Sequence, residues 1–157
     1  MKALLRTTLG AALLWLGLFP TEAHAISASV YDKLFDRADL NHDNFLSLDE
    51  FLATQPRGSR WVDVAWRFQY NDENQDNYLD KLEYRASRGG KDGGRPSKVN
   101  TFLTADLDHD NALDPSEFAL TQPQVWPTRK VMILFAQRDR DANEELSPKE
   151  FGVVLPK

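Results

Sequence analysis

The chain has 157 residues, 19 Lys and Arg against 24 Asp and Glu, and 41% hydrophobic residues, enough for one compact domain or two very small ones. Its formal charge of −5 argues against a nucleic-acid partner. The lack of any cysteine excludes disulfides, a lipid-modified cysteine and thiol or zinc–thiolate chemistry.

Residues 1–25 read as a secretory signal. They carry Lys2 and Arg6, an apolar run of about 11 residues from Leu9 to Phe19, and then Ala23-His24-Ala25 as an A-x-A cleavage site. The run is too short to span a bilayer as a helix. The mature chain is expected to begin near Ile26 and to work in a periplasm or outside the cell, with 17 basic against 23 acidic residues. A small exported protein without disulfides needs another staple, and metal ions can supply it.

Further along, apolar residues at helical spacing alternate with acidic stretches. Ser29 to Phe35 opens a helix expected to turn Val30, Leu34 and Ala38 to one face. DLNHDNFLSLDEF follows from Asp39, then a short helix that Pro56 ends, since proline cannot continue the hydrogen-bond ladder. A helix over Trp61 to Tyr70 leads to DENQDNYLDKLEY from Asp72. GGKDGGRPS, Gly89 to Ser97, disfavours helix and reads as a flexible hinge. Ser97 can cap a helix running through Val99, Phe102 and Leu103, which leads to DLDHDNALDPSEF from Asp106. After Pro123, Thr128 to Gln137 forms the last long helix before DRDANEELSPKEF from Asp139.

These four stretches are copies of one unit. Their first aspartates lie 33, 34 and 33 residues apart, and each copy has Leu at position 8 (Leu46, Leu79, Leu113, Leu146) and Glu at position 12. An aromatic follows each Glu, and Phe35, Phe68, Phe102 or Phe135 precedes each copy by four residues. A periodic match of this kind does not arise from an acidic composition alone. EFLATQP at Glu50 recurs as EFALTQP at Glu117, so the duplicated unit is itself a pair.

A hard cation such as calcium takes six to eight oxygens, which a 12-residue loop supplies from positions 1, 3, 5, 7, 9 and 12. Loop one offers Asp39, Asn41, Asp43, the Phe45 carbonyl, Ser47 and Glu50, and loop two Asp72, Asn74, Asp76, the Tyr78 carbonyl, Asp80 and Glu83. Loop three offers Asp106, Asp108, Asp110, the Ala112 carbonyl, Asp114 and Glu117, and loop four Asp139, Asp141, Asn143, the Glu145 carbonyl, Ser147 and Glu150.

On these residues the chain resembles an exported, bacterial periplasmic calmodulin-like protein of the EF-hand superfamily with four motifs. The resemblance implies an all-α fold of two EF-hand pairs, helix-loop-helix lobes over 26–88 and 98–157, joined by the glycine-rich hinge 89–97. It implies that the position-8 leucines pair in short antiparallel bridges. A bidentate Glu at position 12 then favours calcium over magnesium. Dockerin-like modules fit less well, because they end the loop in Asp and lack entering helices.

Position 6 departs from the usual glycine, being Asn44, Asn77, Asn111 and Glu144. Asn tolerates the left-handed region and Glu does not, so loop four is expected to be weak. Carboxylates number three, four, five and three in the successive loops, which makes loops two and three the tightest. His42 and His109, at position 4, are expected to face solvent.

The function expected is calcium sensing outside the cytoplasm, with calcium buffering or a calcium-stapled envelope-binding module as the alternative. The partners expected are calcium ions, a protein target at a calcium-opened groove, and an anionic envelope surface met by Arg85, Arg88, Lys91, Arg95 and Lys98 around the hinge. The residues offer no Ser–His–Asp or Cys-based constellation, so the chain is not expected to be an enzyme.

Overall fold

A computed structural model describes residues 22–88 and 93–156, with side chains from residue 30 onward. Residues 1–21, which hold most of the expected signal, and 89–92, the start of the expected hinge, lie outside the described residues.

The described residues form eight helices: α1 (Glu22–Ala38), α2 (Leu48–Ala53), α3 (Trp61–Asn71), α4 (Lys81–Arg88), α5 (Lys98–Ala105), α6 (Pro115–Leu120), α7 (Thr128–Arg138) and α8 (Pro148–Phe151). None is long and apolar enough to cross a membrane. They group as four helix-loop-helix units, so the fold is all-α and built of two EF-hand pairs.

Within each pair the loops meet at position 8. Leu46 and Leu79 exchange two backbone hydrogen bonds of 2.9 Å, and Leu113 and Leu146 exchange bonds of 3.0 and 2.8 Å. All four leucines are fully buried. The aromatics repeat the same symmetry. Phe35 packs edge-on against Tyr84 in the first pair as Phe102 does against Phe151 in the second, with centroids 5.7 and 5.5 Å apart. Phe51–Phe68 and Phe118–Phe135 correspond likewise, at 5.8 and 5.7 Å.

The duplicated TQP segment builds one helix stop twice. The hydroxyls of Thr54 and Thr121 each donate 2.7 Å hydrogen bonds to the carbonyls of Phe51 and Phe118, and each accepts from the next glutamine, Gln55 or Gln122. The prolines follow just beyond these C-caps. Ser97 caps α5 as expected, accepting from the Asn100 N–H at 3.1 Å.

Two features differ from the sequence reading. Among the described side chains of α1 the buried ones are Phe35 and Ala38, whereas Val30 and Leu34 are 51% and 38% exposed. Phe35 turns inward against Tyr84 of α4, and Lys81–Asp36 (2.7 Å) and Arg85–Asp32 (2.6 Å) join the same two helices at the surface.

The second feature is α3, which serves both cores. Val64 and Phe68 belong to the first cluster with Phe35 and Leu79, while Val62 belongs to the second with Phe102 and Leu113. An antiparallel bridge between Arg60 and Pro123 also joins the halves. Gly93 lies against α3 with φ +66°, its carbonyl accepting from Trp66 Nε1 at 3.3 Å. A Cβ there would come within 2.7 Å of the Tyr70 ring, so only glycine fits.

Candidate metal centres

Each acidic loop begins where an entering helix stops. The N–H groups of Asp39, Asp72, Asp106 and Asp139 still bond back to the position-minus-4 phenylalanine carbonyls, at 2.9 to 3.0 Å. Their carboxylates then turn into the loop. Asp39 accepts from the N–H groups of Asp43 (3.2 Å) and Asn44 (3.0 Å), and Asp72 from those of Asp76 (3.1 Å) and Asn77 (2.9 Å). Asp139 does the same with Asn143 and Glu144.

The chain achieves this curl with left-handed residues at two positions of every loop. Position 6 has φ of 66° to 68° in Asn44, Asn77, Asn111 and Glu144, and position 4 has φ of 57° to 62° in His42, Gln75, His109 and Ala142. The position-4 turn has no signal in the sequence, because Gln and Ala do not favour that region. His42 and His109 are exposed, as expected.

Position 12 closes the loop from the far side. Glu50 Oε1 accepts from the Leu40 N–H (3.0 Å) and its Oε2 from the Ser47 N–H (2.9 Å) and hydroxyl (2.8 Å). Glu83, Glu117 and Glu150 repeat this with the N–H groups of positions 2 and 9. In all four loops the contact is also reciprocal, as in a capping box, with Ser47, Asp80, Asp114 or Ser147 starting the exiting helix. Positions 9 and 12 thus cap the exiting helices and are also among the oxygens expected to face an ion.

The electrostatics follow from this packing. Burial raises the Glu50 carboxyl, but the hydrogen bonds from the Ser47 N–H and hydroxyl and from the Leu40 and Asn41 N–H groups outweigh it, and the pKa is lowered. The Ser147 hydroxyl, then the Arg140 and Ser147 N–H groups, hold Glu150 down to about 2.

Six of these carboxylates, Asp39, Glu50, Asp72, Glu83, Asp106 and Glu117, are at least nine-tenths buried. Buried charges of one sign require a counter-charge. Loop three demands it most clearly, since Asp106 is 2% exposed and its Oδ1 has no hydrogen-bond partner. Oxygens of Asp106, Asp108 and Glu117 lie within 4.8 Å of one another, as do those of Asp139, Asp141 and Glu150. Loops one and two put Asn41 and Asn74 at position 3, and these amides donate to Asp43 and Asp76 at 2.8 and 2.9 Å. Loop four is more open, with Asp139 and Glu150 only half-buried. The donors are all oxygen, so the residues fit a hard divalent cation.

The decisive comparison agrees with this geometry. Residues 30–53 and 99–120 match the family described as EF hand. These segments contain loops one and three with their flanking helices. Calcium is the cofactor that EF-hand units take, and the chain binds it.

Several solved structures are similar to the chain at low identity. A homolog of programmed cell death 6 protein from Leishmania major Friedlin matches over 80% of this chain and 73% of its own, at 15% identity and a TM-score of 0.35. Caltubin from the great pond snail matches over 79% and 93%, at 16% identity and 0.35. A redox protein from Chlamydomonas reinhardtii matches over 86% and 49%, at 17% identity and 0.38. Identities and scores this low carry no inference about arrangement, activity or partners. No curated protein matches the chain.

Proposed function

We propose that this chain is exported and senses calcium outside the cytoplasm through all four loops, with the oxygens of positions 1, 3, 5, 7, 9 and 12 as ligands. The observation that carries ion binding at the loops is the buried Asp106 carboxylate, whose Oδ1 has no partner. The bound ion supplies two positive charges to a ring of carboxylates that otherwise repel one another.

The sensing role rests on the join between positions 9 and 12. Each position-12 Glu bonds to the residue that starts its exiting helix, so re-aiming that carboxylate moves the start of α2, α4, α6 or α8. A helix pair that opens in this way exposes its aromatic lining to a protein target. The lining is Phe-rich, with Met132 half exposed on the outer side of α7 and outside both cores, which favours a narrow choice of partner. This is binding without catalysis.

The test is a calorimetric calcium titration of the mature chain with tryptophan emission and a hydrophobic dye followed in parallel. Two or more sites with dye uptake are expected, at about 10⁻⁴ to 10⁻³ M. Binding without dye uptake would replace the sensor by a buffer or a calcium-stapled module, and no heat at millimolar calcium would remove ion binding. Glu83→Gln and Glu117→Gln should each delete one step of the titration. If neither does, the ligand assignments are wrong.

A further inference from the structure

The cations around the glycine-rich segment do not share one surface. Arg85 is paired with Asp32 at 2.6 Å, and Arg88 Nη2 donates to the hydroxyls of Thr54 (2.8 Å) and Tyr84 (3.0 Å). Lys98 Nζ donates to the Gly152 carbonyl at 3.2 Å, and Lys91 lies outside the described residues. Arg95 alone of the five lines a different place, a cavity of about 750 Å³ whose wall also holds Arg60, Arg67, Asp63, Gly58 and Ser59.

This cavity is cationic in an acidic protein. Among the described residues Asp63 is the one carboxylate of its wall. Arg60 already engages it, with Nε donating to Oδ2 at 2.8 Å. Arg67 spends only its Nε, on the Asp63 carbonyl at 3.2 Å. Among the described residues no carboxylate pairs with Arg67 or Arg95. Among the described residues of the wall, three guanidinium groups stand against one carboxylate, an excess of two positive charges. The space is open, since a Cβ on Gly58 would meet nothing within 4 Å.

We propose that this cleft between α3 and residues 94–95 binds a phosphate monoester dianion. The guanidinium forks of Arg67 and Arg95 match phosphate oxygens in planar, two-point hydrogen bonds, and a charge of −2 offsets the excess. The source of the ester is either a small soluble molecule or a lipid headgroup. The inference is independent of calcium binding by the loops.

Calorimetry of the calcium-loaded full chain with glycerol 3-phosphate tests the first source, and co-sedimentation with vesicles carrying phosphatidic acid tests the second. Saturable binding of the soluble ester is expected, weakened about tenfold by Arg67→Gln and by Arg95→Gln. Gly58→Leu, which fills the cavity without changing its charge, should weaken it too. Binding to vesicles alone with the same dependence on all three variants would assign the site to headgroups and sustain the proposal. No binding to either probe, or binding that all three variants leave unchanged while circular dichroism shows them folded, would overturn it.

Discussion

Glu144 shows how one residue can tune one ion site. Its φ of 68° matches that of Asn44, Asn77 and Asn111 at the same position, but Glu lacks the local tolerance that lets Asn rest there. The strain is worth about 1–2 kcal/mol, or roughly a tenfold change in affinity. Glu144→Gly should therefore raise the affinity of loop four by roughly tenfold in a calcium titration, and an unchanged value would mean that the openness of Asp139 and Glu150 limits the site instead. Glu150 makes a second prediction. Its pKa falls from 4.5 to about 2 on folding, so its contribution to stability is complete above about pH 4.5 and is lost as pH falls toward 2. The melting temperature of the calcium-free protein should drop across that window. Ser147→Ala, which removes the hydroxyl that lowers this pKa most, should shrink the drop.

At the scale of the element, the residues that cap the exiting helices are also proposed ion ligands. A loop whose position 9 is Ser or Asp and whose position 12 is Glu satisfies the first N–H groups of the exiting helix before any ion arrives. The helix stops are equally economical. Thr121 is 4% exposed and joins the Phe118 carbonyl to Gln122. Thr121→Val keeps the shape and loses both bonds, and should cost about 1 kcal/mol, read from chemical denaturation. Short helices of four to eight residues such as α2, α4, α6 and α8 lack the length to stand alone. They persist because capping and an aromatic anchor, Phe51, Tyr84, Phe118 or Phe151, hold each to its core.

For the whole molecule the central fact is α3. Val62 is fully buried in the second core and Val64 fully buried in the first, and the same helix ends at Asp72, the first residue of loop two. The two pairs therefore share a rigid part. Val62→Ala should destabilise the second pair by about 2 kcal/mol. Glu83→Gln, which disables loop two, should also lower the calcium-loaded melting of the second pair, because the ion holds α3 in place through Asp72. Calorimetric scans that resolve two transitions, with the second untouched by Glu83→Gln, would show that the pairs do not communicate.

The local architecture was determined by the sequence alone. The oxygens at alternating positions, the helix caps and the proline-ended helices act over a few residues, where spacing dictates contact, and the repeat with first aspartates 33, 34 and 33 residues apart made them legible four times over; the leucine bridges followed from the resemblance, not from spacing. Glu144 could be picked out because backbone preference is a property of the residue itself. Tertiary structure decided what depends on a partner. Val30 and Leu34 fit a helical stripe, yet Phe35 turns inward because Tyr84 meets it there. Trp61 to Tyr70 reads as one helix with apolar residues at helical spacing, and only the packed molecule reveals that two neighbouring stripes, through Val62 and through Val64, face two different cores. The arginine cleft was hidden for the same reason: Arg60 and Arg67 lie two turns apart on one helix, but Arg95 is distant from them in sequence, and only the packed molecule brings it to their wall.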